Sequence, residues 1–391
     1  MARQRKVVTE EPEAKSNKIN RQAFINALSK VKPGLSSKEI IEHSTHFIFD
    51  NDKIWTYNDQ ITIMQKFDSG LTGAVKADSF FKLLDRIPDE EISIELEEGK
   101  VKISGKKIKA HIKIDPDVKI TPIQVPAINS KRWETLPDNF DKAISFAAFS
   151  CSKNMIRPEL TCLLIEKGFC IGCDTFRGTK YTLSSTMEQE FLLPAMAGKE
   201  LSNYNPHKVI FDEEGGWLHF INREIMSEEK EGCNGECCCG GGCSEDSECD
   251  KSECECDKEK EKELTTFSCR TYPDKYPEQI WGFFEVDGEE IVLPEGFVDA
   301  VARAEVLISA DFDLDRIVTL VIEDNKVVCS SEGAYGDFEE TAEVEYNGPK
   351  LDVKVHPVLL SEILKHLTTV VIGDRLLFKG EGFSHGICLS C

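Results

Sequence analysis

The fold is decided by a stretch that reads DNFDKAISFAAFSCSKNMIRPELTCLLIEKGFCIGCD, over residues 138–174. Its first part places Phe140, Ile144 and Ala148 on one face of a helix. Its second part alternates apolar and polar residues about a turn near Gly168, as a β-hairpin does. The stretch therefore predicts a helix followed by a hairpin, and the same order recurs along the chain.

Five further segments share this helical spacing of apolar residues. Prolines mark several of their boundaries, since proline suits a first helical turn and ends a helix that runs into it. The six predicted helices are Arg21–Val31; residues 78–87; Asp138–Phe149; residues 194–201; a helix after Pro294 that carries Phe297, Val301 and Ala304; and a helix after Pro357 that carries Leu360, Ile363, Leu364 and Leu367.

Each predicted helix is followed by a predicted hairpin with acidic, Asn or Gly residues at its tip. Helices and hairpins together repeat as helix, strands, helix, strands three times over. The hairpins are HFIFDNDKIWTY turning near Asn51, ISIELEEGKVKIS (92–104), TCLLIEKGFCIGCD turning near Gly168, KVIFDEEGGWLHFI (208–221), VTLVIEDNKVVCSS turning near Asn325, and TVVIGDRLLFKG (369–380).

The spacing of the helices indicates three copies of one α+β domain in tandem. Within each pair the two helices start about 57, 55 and 60 residues apart. The step from the third to the fifth helix exceeds the step from the first to the third by about 39 residues, which matches an insertion at 226–264. We expect a flexible N-terminal arm at 1–19, then domains at 20–127, 128–284 and 285–391.

Eight of the sixteen cysteines lie in this insertion, which has few other apolar residues and cannot form a core of its own. Two readings stay open: thiolate sites for Zn or Cu(I), or an acidic cysteine-rich loop without metal. The other eight cysteines are scattered, and we expect them to be reduced and buried. The candidate ligands are Cys233, Cys237, Cys238, Cys239, Cys243, Cys249, Cys254 and Cys256.

Composition excludes several classes of protein. The 391 residues are 40% hydrophobic, which supports folded domains, and no apolar run reaches 18 residues, so we expect no membrane span. The N-terminus has no apolar segment after its basic residues, so we expect no secretory signal and a cytoplasmic location. The net charge of −23 opposes DNA binding unless basic residues gather on one face.

Three short motifs, taken in order with the threefold repeat, carry a family resemblance. Tyr57-Asn58-Asp59-Gln60-Ile61 follows the first hairpin, Cys173-Asp174-Thr175-Phe176-Arg177 resembles a Thr-Asp-Gly-His-Arg segment, and Tyr272-Pro273-Asp274 resembles a Phe-Pro-Asp-Tyr segment. With them, residues 20–391 outside the insertion resemble the bacterial-type DNA sliding clamp, the beta subunit of DNA polymerase III, in a phage-like or divergent form.

The resemblance implies three DNA clamp folds per chain and a head-to-tail homodimer that closes into a ring around duplex DNA. Such a ring contacts phosphates without reading bases, and it tethers a DNA polymerase and binds a clamp loader. No cofactor is required, apart from zinc if the insertion binds it, and the resemblance implies a location in a bacterial cell or a phage-infected host. The basic residues that we expect to face DNA are Arg21, Lys30, Lys32, Lys38, Lys82, Arg86, Lys142, Lys153, Lys199, Arg303 and Lys365.

The resemblance also implies a groove for partner peptides between the second and third domains. Thr175 and Phe176 replace the Gly and His of the family segment, and the C-terminal tail GICLSC lacks the family's Met and Pro. We therefore expect a groove whose preferred peptide differs. Its residues are Asp174, Thr175, Phe176, Arg177, Pro277, Ile387 and Leu389; the alternative for the first four is an ordinary strand end with a surface ion pair.

Other classes of function are less favoured by the residues. The sequence has no phosphate-binding Gly-x-x-x-x-Gly-Lys-Ser/Thr loop and no Gly-x-Ser-x-Gly elbow, so we expect no enzyme. A metal or redox sensor centred on the insertion would leave the threefold repeat unexplained. A clamp-like scaffold for repair or transcription is a further alternative, because the identity of the partner lies in the partner's peptide.

Overall fold

The structure is a computed structural model, and it describes residues 17–97, 99–119, 123, 125–126, 130–224, 262–308, 316–334 and 336–390. Only the backbone is described for residues 51, 223–224 and 262–264. The eight cysteines of the predicted insertion lie outside this part of the chain, and so does the predicted N-terminal arm up to residue 16. Among the described residues, no helix has the length and apolar character needed to cross a membrane.

All six predicted helices are confirmed, and one short helix joins them. The sequence predicts the six helices correctly because each one has its apolar residues on a single buried face. In the first helix these residues include Phe24, Leu28 and Val31. The helices of the described residues are α1 Arg21–Val31, α2 Ala77–Arg86, α3 Phe140–Ala147, α4 Ala195–Leu201, α5 Ile280–Phe283, α6 Phe297–Val306 and α7 Pro357–Leu364.

The strands pair in antiparallel hairpins and sheets. They are β1 Asn17–Asn20, β2 His46–Tyr57, β3 Ile61–Lys76, β4 Glu91–Glu97, β5 Lys100–Ser104, β6 Lys109–Lys113, β7 Glu134–Thr135, β8 Cys162–Glu166, β9 Phe169–Cys173, β10 Arg177–Thr182, β11 Phe191–Pro194, β12 Pro206–Asp212, β13 Trp217–Glu224, β14 Lys262–Arg270, β15 Glu289–Val292, β16 Val318–Glu323, β17 Lys326–Gly333, β18 Gly336–Glu343, β19 Leu351–Val355, β20 Thr369–Ile372, β21 Arg375–Gly380 and β22 Phe383–Cys388.

Five of the six predicted hairpins are confirmed, with their turns where the sequence places them. Two turns use left-handed residues, as two-residue hairpin loops require. Lys167 and Gly168 have φ of 48° and 86°, and Asp324 and Asn325 have φ of 52° and 61°. Asn and Gly adopt this conformation at low cost, which is why the sequence marks these turns clearly.

The first predicted hairpin is wrong, because HFIFDNDKIWTY forms the single strand β2. The polar residues at its centre lie at an irregularity, where the register against β3 shifts between Asn51 and Lys53. The turn comes instead after Tyr57. There the Asn58 side chain accepts hydrogen bonds from the N–H groups of Gln60 and Ile61, at 3.2 and 2.9 Å. A polar run inside a strand therefore marks a bulge here, not a turn.

The chain divides into two compact units, the first built from the described residues within 1–130, 206–208 and 219–269. Its strands form one sheet in the order β1-β4-β5-β6 and place β2, β3, β14 and β13 side by side in another. Helices α1 and α2 pack together beside them. The core includes three fully buried rings, Phe24, Phe49 and Phe80, whose centroids lie 5.8–6.1 Å apart.

Two predicted boundaries shift within this unit. Residues 17–19, assigned to the N-terminal arm, belong to β1, which pairs with β4. Residues 262–264, assigned to the insertion, belong to β14, which lies beside β13. The cysteine-rich insertion therefore connects two neighbouring strands of one sheet.

The second unit comprises the described residues within 131–205, 209–218 and 270–391. Its large sheet has the order β11-β8-β9-β10-β22-β21-β20-β15, and a smaller sheet has the order β18-β17-β16-β19. Helix α3 packs on α4, and α6 packs on α7. The first of these pairs comes from the second predicted repeat and the other from the third, so this unit contains the helix pairs of two repeats.

Strands β10 and β22 join these two repeats in one sheet. They pair antiparallel from Arg177 opposite Ile387 to Tyr181 opposite Phe383. These partners lie about 200 positions apart in the sequence, so the pairing fixes the geometry of any site between the two repeats. On the adjoining strand β9, Gly172 faces the end of α3, and only a small residue fits at that position.

The scattered cysteines follow the prediction closely. Six of them are buried free thiols, and burial raises the pKa of Cys162 to about 12 and that of Cys173 to about 11. Cys388 is only half-buried, since it ends the last strand, and Cys391 lies outside the described residues. Buried thiols with raised pKa values are unreactive at neutral pH.

We predict that Gly172→Ala destabilises the second unit. A Cβ at Gly172 would lie 2.2 Å from the carbonyl oxygen of Ala147 and 2.9 Å from Sγ of Cys151, so the end of α3 would be pushed off β9. Overpacking of this kind costs about 1–3 kcal/mol, measurable by urea unfolding. Gly282→Ala is the control, because its Cβ meets no atom within 4 Å. Equal unfolding midpoints for the two variants would contradict the prediction.

Candidate partner groove and nucleic-acid interface

The turn between β9 and β10 is built by one carboxylate. Oδ1 of Asp174 accepts hydrogen bonds from the N–H groups of Phe176 and Arg177, at 2.7 and 2.9 Å. This local bonding closes the turn. The backbone adds to it, because the N–H of Asp174 donates to the carbonyl of Arg177 at 3.0 Å and the N–H of Cys388, at the end of β22, donates to the carbonyl of Phe176 at 2.8 Å. As a result Thr175 and Phe176 project from the surface, and Phe176 is 41% exposed although it is a large apolar residue.

Arg177 fixes this turn to the rest of the second unit. Its Nε donates to Asp174 at 3.3 Å, its Nη1 forms an ion pair with Glu362 of α7, and its Nη2 donates to the carbonyl of Phe149 at 2.9 Å. The guanidinium also lies over the Phe149 ring, 5.3 Å from its centroid. The side chain is only 11% exposed, and burial lowers the pKa of Arg177 from its usual value.

These contacts argue against an ordinary surface ion pair for residues 174–177. A largely buried guanidinium is tolerated only when its N–H donors are hydrogen-bonded. Here the donors bond to Asp174 in the turn, to Glu362 of α7 and to the carbonyl of Phe149. The side chain of Arg177 is therefore held in one position beside the exposed Phe176.

A cavity of about 440 Å³ opens beside this turn. Residues 174–177 form one side, and the loop after α3 forms the other, with Ile156 82% exposed and Met155 58% exposed. An apolar residue exposed to this degree next to a concave surface is typical of a protein interaction site. Apart from Lys153, no residue of this loop is among the predicted site residues. The signal for it in the sequence is an apolar pair, Met155-Ile156, between polar neighbours.

The structure does not bring all the predicted groove residues together. Pro277 lines a different cavity, of about 790 Å³, with Trp281 and Phe191. Ile387 is fully buried in the core, so it borders the turn only as the backbone partner of Arg177. Leu389 is half-buried and packs on the same core. The predicted set therefore reduces to Asp174, Thr175, Phe176 and Arg177, joined by the loop at 151–157.

The predicted basic residues lie on helices or in the loops that follow them. Seven are exposed and have no ion pair with any described carboxylate: Lys32, Lys38, Arg86, Lys142, Lys153, Lys199 and Lys365. Lys32 lies over the Phe81 ring, at 4.7 Å from the centroid. Lys142 and Lys365, from different repeats, line one cavity of the second unit.

Three other predicted residues have internal partners, and Lys30 is half-buried on α1. Arg21 donates to the carbonyls of Leu84 and Asp89 at the end of α2. Lys82 pairs with Asp78 one turn earlier, at 2.8 Å. Arg303 forms a two-pronged pair with Glu340 of β18, at 2.9 and 2.7 Å. Charges compensated in this way offer less to a phosphate than uncompensated ones.

The two histidines that lie three positions apart in the sequence meet two carboxylates in the first unit. Nε2 of His43 lies 3.1 Å from Asp115, and Nδ1 of His46 lies 3.5 Å from Glu39. The carboxylates serve different histidines and do not converge on one point. No group of three or more His, Cys, Asp or Glu side chains in the described part of the chain could hold a metal ion.

A chain of buried hydrogen bonds runs behind the turn. Oγ of Ser150 lies 2.6 Å from Oγ1 of Thr179, which lies 2.8 Å from Nδ1 of His385. The His385 ring stacks on Phe149, with 5.1 Å between the centroids. Burial, with smaller effects from Arg177 and His366, lowers the pKa of His385 to about 3. The imidazole is therefore neutral at physiological pH and holds β22 to the end of α3.

No family model matches the sequence, and no curated protein does. Solved structures do match, at a TM-score of 0.73–0.74. They include a putative DNA polymerase III beta subunit from Eubacterium rectale at 14% identity, the polymerase beta subunit from Streptococcus pyogenes at 19%, and the DNA polymerase sliding clamp from Bacillus subtilis at 16%.

These alignments cover 95–96% of this chain and 98–99% of the other chains. The chain therefore has the fold of the DNA sliding clamps. More particularly, the matched structures include beta subunits of bacterial DNA polymerase III, the family that the three sequence motifs resemble. The identities are low, which fits a divergent form, and at this level the likeness concerns the fold.

We predict that His385 makes the folded state sensitive to acid. Its pKa is about 3 when folded and about 6.5 when unfolded, so below pH 6.5 the unfolded chain binds a proton that the folded chain does not. The free energy of unfolding should therefore fall with pH, by about 2 kcal/mol at pH 5 from this group alone. His385→Asn should be less sensitive to pH between 7.5 and 5 in urea titrations.

The wild-type chain is the reference for this prediction. The same pH dependence of the unfolding free energy in His385→Asn and in the wild-type chain would show that the buried imidazole does not titrate as its surroundings require.

Proposed function

We propose that this chain is a non-enzymatic DNA sliding clamp, in which two copies close head to tail into a ring around duplex DNA. Each copy would contribute three domains, at 20–127 extended by residues 17–19 of β1, at 128–284 and at 285–391. The whole-chain likeness to sliding clamps supports the fold that such a ring requires. The observation that carries the proposal is a pair of sheet edges with opposite charge.

One of these edges is basic. Strand β6, with the sequence KAHIK, ends the order β1-β4-β5-β6, and no described strand covers its other side. Lys109, His111 and Lys113 are exposed, while Ala110 and Ile112 are half-buried. Lys106 and Lys107 precede the strand and add to its positive charge.

The other edge is acidic. Strand β18, with the sequence GDFEETAE, ends the order β18-β17-β16-β19 and likewise has no described neighbour on its outer side. Asp337, Glu339 and Glu343 are exposed, whereas Phe338 and Ala342 pack on the core. Glu340 already pairs with Arg303, so three carboxylates remain for a partner.

Free sheet edges pair readily with other chains, and their charges select the partner. A basic edge repels another basic edge, and an acidic edge repels another acidic one. The two edges of this chain therefore favour contact between β6 of one copy and β18 of the next. A contact of this head-to-tail kind produces a ring when its rotation closes.

The groove and the basic residues supply the two other functions of a clamp. The exposed Phe176 and Ile156 beside the fixed Arg177 suit an apolar peptide segment from a DNA polymerase or clamp loader. The seven uncompensated basic residues suit phosphates and would act without reading base sequence. A closed ring that placed them on its inner face would reconcile DNA binding with a net charge of −23.

Charge reversal tests the ring interface. We predict that Lys109→Glu/Lys113→Glu and Glu339→Lys/Glu343→Lys each give monomers, because like charges then face each other. Mixing the two variants should restore a dimer, since both interfaces then join opposite charges. Light scattering after gel filtration measures the mass. Glu213→Lys/Glu214→Lys, at the exposed tip of the β12–β13 hairpin, is the control and should stay dimeric.

This interface would be contradicted if both charge-reversed variants, measured separately, were dimers. It would also be contradicted if the mixture failed to form a dimer while each variant remained folded.

Retention on circular DNA tests the function itself. We predict that the protein, loaded onto nicked circular DNA by a clamp loader and ATP, co-elutes with the circle during gel filtration. Linearising the DNA should release it, because a ring held by topology slides off a free end. Equal retention on circular and linear DNA would overturn the clamp proposal and would indicate ordinary binding.

A further inference from the structure

A third concave surface of the second unit is lined by aromatic rings. This aromatic cleft has a volume of about 620 Å³, within the range of roughly 300–1,000 Å³ for small-molecule sites. Phe146 lies at its centre, with 4.3 Å from its ring centroid to Phe383, 5.2 Å to His366 and 6.1 Å to Tyr181. Four rings from four segments therefore converge on one opening.

Two features of the fold bring these rings together. The pairing of β10 with β22 sets Tyr181 opposite Phe383, with their rings stacked at 6.0 Å and 3° between planes. Helix α3 buries one face through Phe140, Ala143 and Ile144, which leaves its other face toward the cleft. That other face continues past the helix end and carries Lys142, Ser145, Phe146 and Phe149, at helical spacing.

The charges at the rim favour an anion. Lys142 and Lys365 are exposed and have no ion pair with a described carboxylate. Of the two acidic residues at the rim, Glu362 is already paired with Arg177, which leaves Glu381 alone. The rim therefore has two lysines and one carboxylate without an ion-pair partner among the described residues. A cationic ligand would be repelled by the two lysines, whereas an anion would be attracted.

We propose that this aromatic cleft binds an unpaired nucleotide of single-stranded nucleic acid. The base would stack on Phe146, Tyr181 or Phe383, and Lys142 and Lys365 would contact the phosphates beside it. Aromatic rings next to lysines are the chemistry by which proteins bind single strands without reading their sequence. The bases of a duplex are covered by their neighbours, so the cleft distinguishes unpaired strands from paired ones.

This inference goes beyond the clamp proposal and does not require it. A strand can enter the cleft of a monomer or of a ring, because every lining residue belongs to the same unit of one chain. It also concerns a surface different from the partner groove, because the two linings share no residue. Arg177 of the groove contacts Phe149 and Glu362 of the cleft, so the two surfaces are neighbours.

Binding of short labelled strands to the full chain tests the proposal. The probes are fluorescein-labelled dT12 and rU12, with a blunt hairpin duplex of equal charge for comparison, followed by fluorescence anisotropy. We expect at least one single strand to bind about tenfold more tightly than the duplex, and the tighter of the two identifies DNA or RNA as the source. Equal binding of duplex and single strands overturns the proposal.

Two variants and one control assign the binding to the cleft. Phe146→Leu keeps an apolar side chain but removes the ring, and it should weaken single-strand binding about tenfold. Lys365→Gln should lower the slope of log Kd against log salt concentration by about 0.7, the loss of one phosphate contact. Lys350→Gln removes an exposed lysine that pairs with Glu323 away from the cleft, and it should change neither quantity.

Photocrosslinking separates a direct contact from a change in folding. A dT12 strand with one 5-iododeoxyuridine should crosslink to Phe146, Tyr181 or Phe383, identified by mass spectrometry of the digested protein. Crosslinks confined to residues 151–157 or 174–177 would place the strand in the partner groove and overturn the proposal. Failure of the circular DNA test would leave this result unaffected, so the two proposals fail separately.

Discussion

The antiparallel pairing of β10 with β22 is the constraint on which the second unit depends. It joins two repeats into one eight-stranded sheet and fixes what lies at each end of the pairing. At one end Arg177 faces Ile387, beside the exposed turn of the partner groove. At the other end Tyr181 faces Phe383, in the aromatic cleft. A slip of one residue would send every side chain of β10 to the opposite face of the sheet, and both surfaces would be lost together.

Arg177 makes that pairing rigid at one end. A charge this buried is costly unless all its donors are satisfied, and removing one partner of such a network leaves the others unpaired in a medium of low dielectric constant. The guanidinium bonds to the turn through Asp174, to α7 through Glu362 and to the chain after α3 through the carbonyl of Phe149. Behind it the neutral His385 closes a second link through Thr179. The exposed Phe176 can therefore stand in a fixed position without packing of its own.

Much of this fold could be predicted from the sequence, because local patterns determine it. The helices bury one face each, and the hairpins turn at residues that tolerate left-handed backbone, such as Asn325. The DND run in β2 misled the prediction because polar residues also mark bulges. The site was harder to predict. The motif at 174–177 correctly indicated the turn of the partner groove. The burial of Ile387 and the assembly of the aromatic cleft, however, depend on strands that pair across about 200 positions. The spacing of residues within one segment carries no information about such contacts.

The opposite charges of β6 and β18 have a consequence for how the proposed ring would change over time. Both interfaces of a head-to-tail pair are made from the same two strands, so a single substitution enters the ring twice and its energetic cost doubles. Neither strand could then change its charged residues without the other. A change in the basic strand would be tolerated only with a compensating change in the acidic strand, about 230 positions further along the same gene product. Two distant parts of one chain would thus be tied to each other as closely as two separate binding partners are.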